Sequence, residues 1–181
     1  QRLNKKLVAA LTIGGVVITT AAAILMISTL PKRDPAPAIE NAEKAMAKGD
    51  YVEAAKWYQR AYQRSRSTNK DAANDCLIAM GDMLLAAGDA RQALDTWGKV
   101  ILNDPNNEKA QQKIVEFYFD IITKMRGTTW KNLQIEAEKL CQMNPKNSTG
   151  LHAWGLALVN QGDVKSEYLT QGEAKLIEAC K

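Results

Sequence analysis

A glycine–aspartate pair recurs along this chain, at Gly49-Asp50, Gly88-Asp89 and Gly162-Asp163, and Gly127-Thr128 falls where another pair is due. The four glycines are separated by 39, 39 and 35 residues, the range of helical-hairpin repeats. Each pair follows a small, Ala- or Leu-rich stretch of helical pattern and precedes an amphipathic one. Glycine permits the tight reversal between helices. The aspartate can start the next helix: Asp50 is followed three positions on by Glu53, and Asp89 by Gln92, which matches a capping box. The segments Asn103-Asp104-Pro105-Asn106-Asn107 and Asn144-Pro145-Lys146-Asn147 close the second helices.

The stretches after the glycines superpose by counting. Tyr51, Ala54, Ala55, Tyr58, Ala61 and Tyr62 correspond to Ala90, Ala93, Leu94, Trp97, Val100 and Ile101. A third set follows at Trp130, Leu133, Gln134, Ala137, Leu140 and Cys141, with Gln134 its one amide. These offsets trace one face of an α-helix. The stretches before the glycines repeat as well. Leu77, Met80, Gly81 and Leu84 map onto Leu151, Trp154, Gly155 and Leu158. A mid-helix glycine costs about 1 kcal/mol against alanine, so its recurrence implies close helix approach.

Residues 74–107 resemble the tetratricopeptide repeat through Leu77, Met80, Gly81, Leu84, Gly88-Asp89, Ala93, Trp97, Val100 and Pro105. An earlier repeat keeps Ala42, Ala45, Gly49-Asp50-Tyr51, Ala54, Tyr58 and Ala61. The third departs, being longer and carrying Val115 where the helical glycine belongs. In the fourth, Glu167 and Gln171 occupy apolar positions, and the second helix is expected to start late, at Thr170, with Glu173 completing a capping box. The expected fold is an all-α, TPR-like α-solenoid of three to four helical hairpins over residues 38–181, preceded by one transmembrane helix.

That helix is expected over Leu7 to Leu30, twenty-four positions without a charged side chain. At a rise of about 1.5 Å per residue it would be roughly 36 Å long, enough to cross a hydrocarbon core of about 30 Å. The run exceeds the roughly 7–15 residues of a signal-peptide core, so it reads as a retained anchor. Residues 1–6 form a basic flank, and residues 31–37, with Pro31, Pro35 and Pro37, read as a stiff linker. Arg2, Lys5 and Lys6 before the run, against Lys32 and Arg33 after it, lean towards a cytoplasmic N-terminus and a solenoid on the periplasmic or other non-cytoplasmic side. Within the run, Ala10, Gly14, Gly15, Thr19, Ala22 and Ala23 put small residues at four-residue spacing, a face on which helices pack closely in lipid.

The chain has 24 basic and 20 acidic side chains, and three of the basic ones precede the apolar run. The rest is nearly neutral and shows no basic stripe for nucleic acid; Arg60, Arg64 and Arg66 sit at a helix end, where cations are favoured. Cys76, Cys141 and Cys180 are too sparse for a disulfide framework or zinc site and read as core residues. No nucleophile elbow, P-loop, HExxH or dinucleotide fingerprint occurs, so no enzyme activity, cofactor, metal or small-molecule substrate is expected. Trp57, Tyr58, Trp97, Trp130 and Trp154 stand at or beside repeat-core positions.

The tetratricopeptide resemblance implies protein or peptide binding in the groove lined by the first helices. Its groove positions fall on Ile78, Asp82 and Leu85, on Gln112, Glu116 and Phe119, and on His152, Leu156 and Val159. The lysine–asparagine clamp of chaperone-tail binders is replaced by Ile39 and Glu43. The expected partners are proteins of the membrane or envelope, held by an adaptor or by an assembly subunit of a larger membrane complex. In the second case, replacing Gly14 and Gly15 by Leu should reduce copurification with the complex in fixed ratio; unchanged stoichiometry would rule out packing through this face.

Overall fold

The computed structural model describes residues 34–124, 130–162 and 167–180. Among these, eight helices are present and no strand. They are α1 (Ala36–Ala47), α2 (Tyr51–Ser65), α3 (Lys70–Ala86), α4 (Ala90–Asn103), α5 (Glu108–Lys124), α6 (Trp130–Met143), α7 (Ser148–Val159) and α8 (Glu167–Ala179). Each packs on its neighbours in sequence, and α5 also touches α7, giving a stack of four hairpins. No described helix is long and apolar enough to cross a membrane. Leu7 to Leu30 and its small-residue face lie outside the described residues, as do Gly127-Thr128 and Asp163.

The Gly–Asp pairs show why two residues suffice to reverse the chain. Gly49 and Gly88 have φ of 75° and 89°, the left-handed conformation that side chains disfavour. After Gly49, the Asp50 N–H donates to the Ala45 carbonyl (3.0 Å) and the Gly49 N–H to Met46 (2.9 Å). After α3, the Asp89 N–H reaches Leu84 and the Gly88 N–H reaches Leu85, both at 2.9 Å. This is the Schellman closure of a helix C-terminus. The same aspartates then begin α2 and α4, their carboxylates accepting from the N–H of Glu53 (3.0 Å) and Gln92 (3.1 Å). Only half of the expected capping box forms, because the aspartate N–H is already engaged behind it. The Gln92 amide instead bonds the Asp89 carboxylate, and Glu53 pairs with Lys56.

Between hairpins the device is asparagine. Asn69, Asn107 and Asn147 cap α3, α5 and α7 by accepting from Ala72, Ala110 and Gly150 at 2.8–3.0 Å. Pro105 and Pro145 stand second in turns closed by the Asn107 and Asn147 N–H groups on the Asp104 and Asn144 carbonyls. Glu108 accepts from Asn144 (2.8 Å) and Asn147 (2.7 Å), tying the start of α5 to the turn that opens α7. These bonds hold the Glu108 carboxyl below its ordinary range.

The core follows the counted faces. Ala54, Ala61, Ala93, Trp97, Val100, Leu133, Ala137 and Leu140 are buried. Gln134, the amide on its face, accepts from Gln161 at 2.9 Å. Trp97 lies over Gly81, where an added Cβ would overlap its indole ring, and its Nε1 donates to the Ile78 carbonyl (3.2 Å). In the third hairpin the volumes are exchanged. Val115 takes the place of the glycine and Ala137 that of the tryptophan, both in one buried cluster. Exchanging large for small across a contact keeps the space filled, and packed cores tolerate such swaps well.

Four expectations need correction. Helix α1 begins at Ala36, inside the proline-rich segment, since Pro37 in a first turn forfeits no intrahelical bond. Gly162 has no positive φ, and a Cβ there would meet the side chain of Leu169. The fourth second helix starts at Glu167, so Thr170 lies within it and caps nothing. Cys76 and Cys141 are buried free thiols, but Cys180 is exposed just beyond α8.

Two glycines therefore matter for different reasons. Nothing crowds Gly88, so Gly88→Ala should cost about 1–2 kcal/mol through backbone strain alone, with Gly88→Asn recovering part of it. At Gly172 a Cβ would lie 2.8 Å from the Gly155 carbonyl oxygen, so Gly172→Ala and Gly172→Asn should both destabilise, the alanine by about 1–3 kcal/mol. Urea midpoints of the four variants check the contrast.

Candidate functional site

The first helices of the last three hairpins, α3, α5 and α7, share one cavity of about 680 Å³. Asp82 and Leu85 reach it from α3, Glu116 and Phe119 from α5, and His152 from α7. Five of the nine groove positions thus converge. Phe119 and His152 meet across the helices with ring centroids 5.7 Å apart. Leu85 remains 37% exposed, a large apolar side chain open to the cavity.

The other four positions stand elsewhere. Ile78 is buried in a cluster with Leu77, Val100 and Ala110. Gln112 is half-buried and donates to Glu116 Oε1 (2.8 Å), acting on the cavity through that carboxylate. Leu156 and Val159 lie further along α7, outside the cavity lining. Val159 sits under α8, where a Cβ on Gly172 would approach it to 2.7 Å.

Several lining residues escaped the extrapolation from sequence: Lys113 and Asp120 on α5, Ser148 and Thr149 on α7, and Ala179 and Cys180 at the end of the chain. Lys113, Glu116 and Asp120 share one helical face by spacing, a signal present in the sequence. The contribution of Ala179 and Cys180 had none, because it depends on how α8 folds back.

The electrostatics centre on Lys113. Its ammonium lies 3.2 Å from Asp82 and 3.9 Å from Glu116. All three side chains are about one-third exposed or more, so the ion pairs are worth about 0–1 kcal/mol and serve mainly to place charge. Burial pushes the Asp82 carboxyl above its usual range; Lys113 opposes this and Glu116 reinforces it. The Tyr58 phenol is raised by burial and further by the charges of Glu43 and Asp82. Burial also raises the Cys76 and Cys141 thiols. Among the described residues no three histidine, cysteine or acidic side chains stand together as metal ligands would.

The arrangement is similar to several solved structures. A tetratricopeptide repeat protein from Parabacteroides merdae aligns over 80% of this chain and 52% of its own, with a TM-score of 0.64 and 17% identity. A MamA variant of strain RS-1 aligns over 81% of this chain and 76% of its own (TM-score 0.59, 21% identity). A thermophilic TPR protein of Thermus thermophilus aligns over 80% and 72% (TM-score 0.54, 16% identity). The fold is that of a tetratricopeptide-repeat solenoid. The chain spans about half the length of the Parabacteroides protein. No protein-family model matches the sequence, and no curated protein does. The cavity described above lies along the first helices α3, α5 and α7 of this solenoid.

Because burial outweighs the ion pair at Asp82, the folded chain retains that proton to higher pH than the unfolded chain. The group's contribution to stability falls as pH rises through its raised pKa and recovers as pH is lowered. Asp82→Asn should therefore unfold at the same or a higher temperature than the parent at neutral pH, with the difference shrinking in acid. A markedly lower unfolding temperature at neutral pH would mean that the Lys113 pairing dominates.

Proposed function

We propose that this chain is a non-enzymatic, membrane-anchored interaction scaffold that captures a segment of a partner protein in the cavity between α3, α5 and α7. The observation that carries this reading is the convergence of Asp82, Leu85, Glu116, Phe119 and His152 from three successive repeats. A cavity of this size, with apolar and charged groups side by side, suits a few side chains of an extended or helical segment. The membrane side of the proposal rests on Leu7 to Leu30, whose length and lack of charge suit a single pass. The basic residues flanking that run favour a solenoid on the non-cytoplasmic side, facing membrane or envelope proteins.

A second reading has its own observation. The small-residue face at Ala10, Gly14, Gly15, Thr19, Ala22 and Ala23 suits packing against another membrane helix. The chain would then be an accessory or assembly subunit held in a larger complex through its anchor.

Crosslinking and capture with the whole chain in detergent, compared with a piece comprising residues 34–181, separates the two. Recovery of the same partners by both supports the cavity reading. Partners that require residues 7–30 support the subunit reading. Leu85→Glu and Phe119→Ala should each reduce capture by the whole chain at least about ten-fold without unfolding it, since each alters the apolar contact of a small interface. Undiminished capture by both variants, with wild-type melting behaviour, would remove the cavity as the site.

A further inference from the structure

We propose that the cavity selects a partner segment carrying a lysine or arginine side chain beside a bulky apolar one. The inference rests on the scaffold reading above and concerns what the cavity accepts.

Two carboxylates, Asp82 and Glu116, line the cavity beside the ammonium of Lys113. Lys113 divides itself between them, at 3.2 and 3.9 Å, so among the described residues one cation serves both anions. Glu116 is oriented as well, since its Oε1 accepts from Gln112 while Oε2 faces Lys113. The Tyr58 phenol on α2 feels both Glu43 and Asp82, and Asp82 feels Glu116, so the carboxylates of α1, α3 and α5 act on one connected region.

Apolar surface lies within the same cavity. Leu85 is 37% exposed, and Phe119 packs against His152. A long cationic side chain matches both parts, laying its methylene stem on Leu85 while its head group reaches the carboxylates. Arginine suits two carboxylates best because its planar fork donates in two directions at once. The neighbouring bulky residue of the segment fills the space beside Phe119. An acidic segment meets like charge in a partly desolvated site and is rejected, which is where discrimination arises.

The test uses the full chain in non-ionic detergent and three short, N-acetylated, fluorescein-labelled peptides. They alternate Leu with Arg, with Glu or with Gln, and binding is read by fluorescence anisotropy against micelles alone. The Arg peptide should bind at least about ten-fold more tightly than the Glu peptide, a difference that shrinks as salt is added. The double variant Asp82→Asn, Glu116→Gln should cut that ratio to about three-fold or less. Lys113→Met removes the internal competitor and should strengthen Arg-peptide binding, a gain that misfolding cannot imitate. Equal or tighter binding of the Glu peptide, or an Arg preference unchanged in the double variant, overturns the proposal. If all three peptides bind alike and Leu85→Glu abolishes all three, charge selection fails while the cavity reading stands. If none binds, charge selection fails, and the capture experiment with Leu85→Glu and Phe119→Ala decides the cavity reading by itself.

Discussion

The fold depends on aspartates that belong to two helices at once. The described helices are 12 to 17 residues long, close to the length below which an isolated helix is marginal in water. Each persists because a neighbour covers its apolar face, and neighbours meet only if the chain reverses at a fixed point. At Asp50 and Asp89 the backbone N–H completes the end of one helix while the carboxylate opens the next. No spare residue lies between these two tasks, so the rotational phase of the second helix is set by the first. The left-handed glycine just before makes this geometry accessible.

The last hairpin is held together in a different way. Gly162 lacks the left-handed conformation, and α8 is positioned instead by backbone-to-backbone proximity at Gly155 and Gly172. Glycine on both sides lets the two helices approach more closely than side chains allow. The consequence reaches the cavity. Helix α8 covers Val159, and its end brings Ala179 and Cys180 to the wall. A solenoid groove that would otherwise run on along α7 is thereby bounded.

Within that boundary, local stability is not maximised. Asp82 is a carboxylate held in a partly desolvated place, and Leu85 is a large aliphatic group left open to solvent. Both sit at one cavity, while larger apolar exposures occur elsewhere, at Leu102 and Ile177. The ion pairs of Lys113 contribute little to folding and serve mainly to place charge in the cavity.

Much of this was legible in the residues alone. Helix faces and the reversals at Gly49 and Gly88 depend on hydrogen bonds and periodicities spanning a few positions, which neighbours in sequence specify, whereas the Trp97 ring that fills the space over Gly81 comes from another helix. Extrapolated groove positions fared unevenly for a reason that is also physical. Asp82, Leu85, Glu116, Phe119 and His152 face the cavity, whereas Ile78 is buried and Val159 is covered. Which edge of a helix faces inward depends on its rotation about its own axis, and that rotation is set by distant volumes such as Val115 against Ala137. Sequence by itself therefore determined a stack of helical hairpins and the chemistry each helix carries. Only tertiary packing decided which of those side chains share a cavity, because a helix has no preferred inner edge until a neighbour's side chains fill the space beside it.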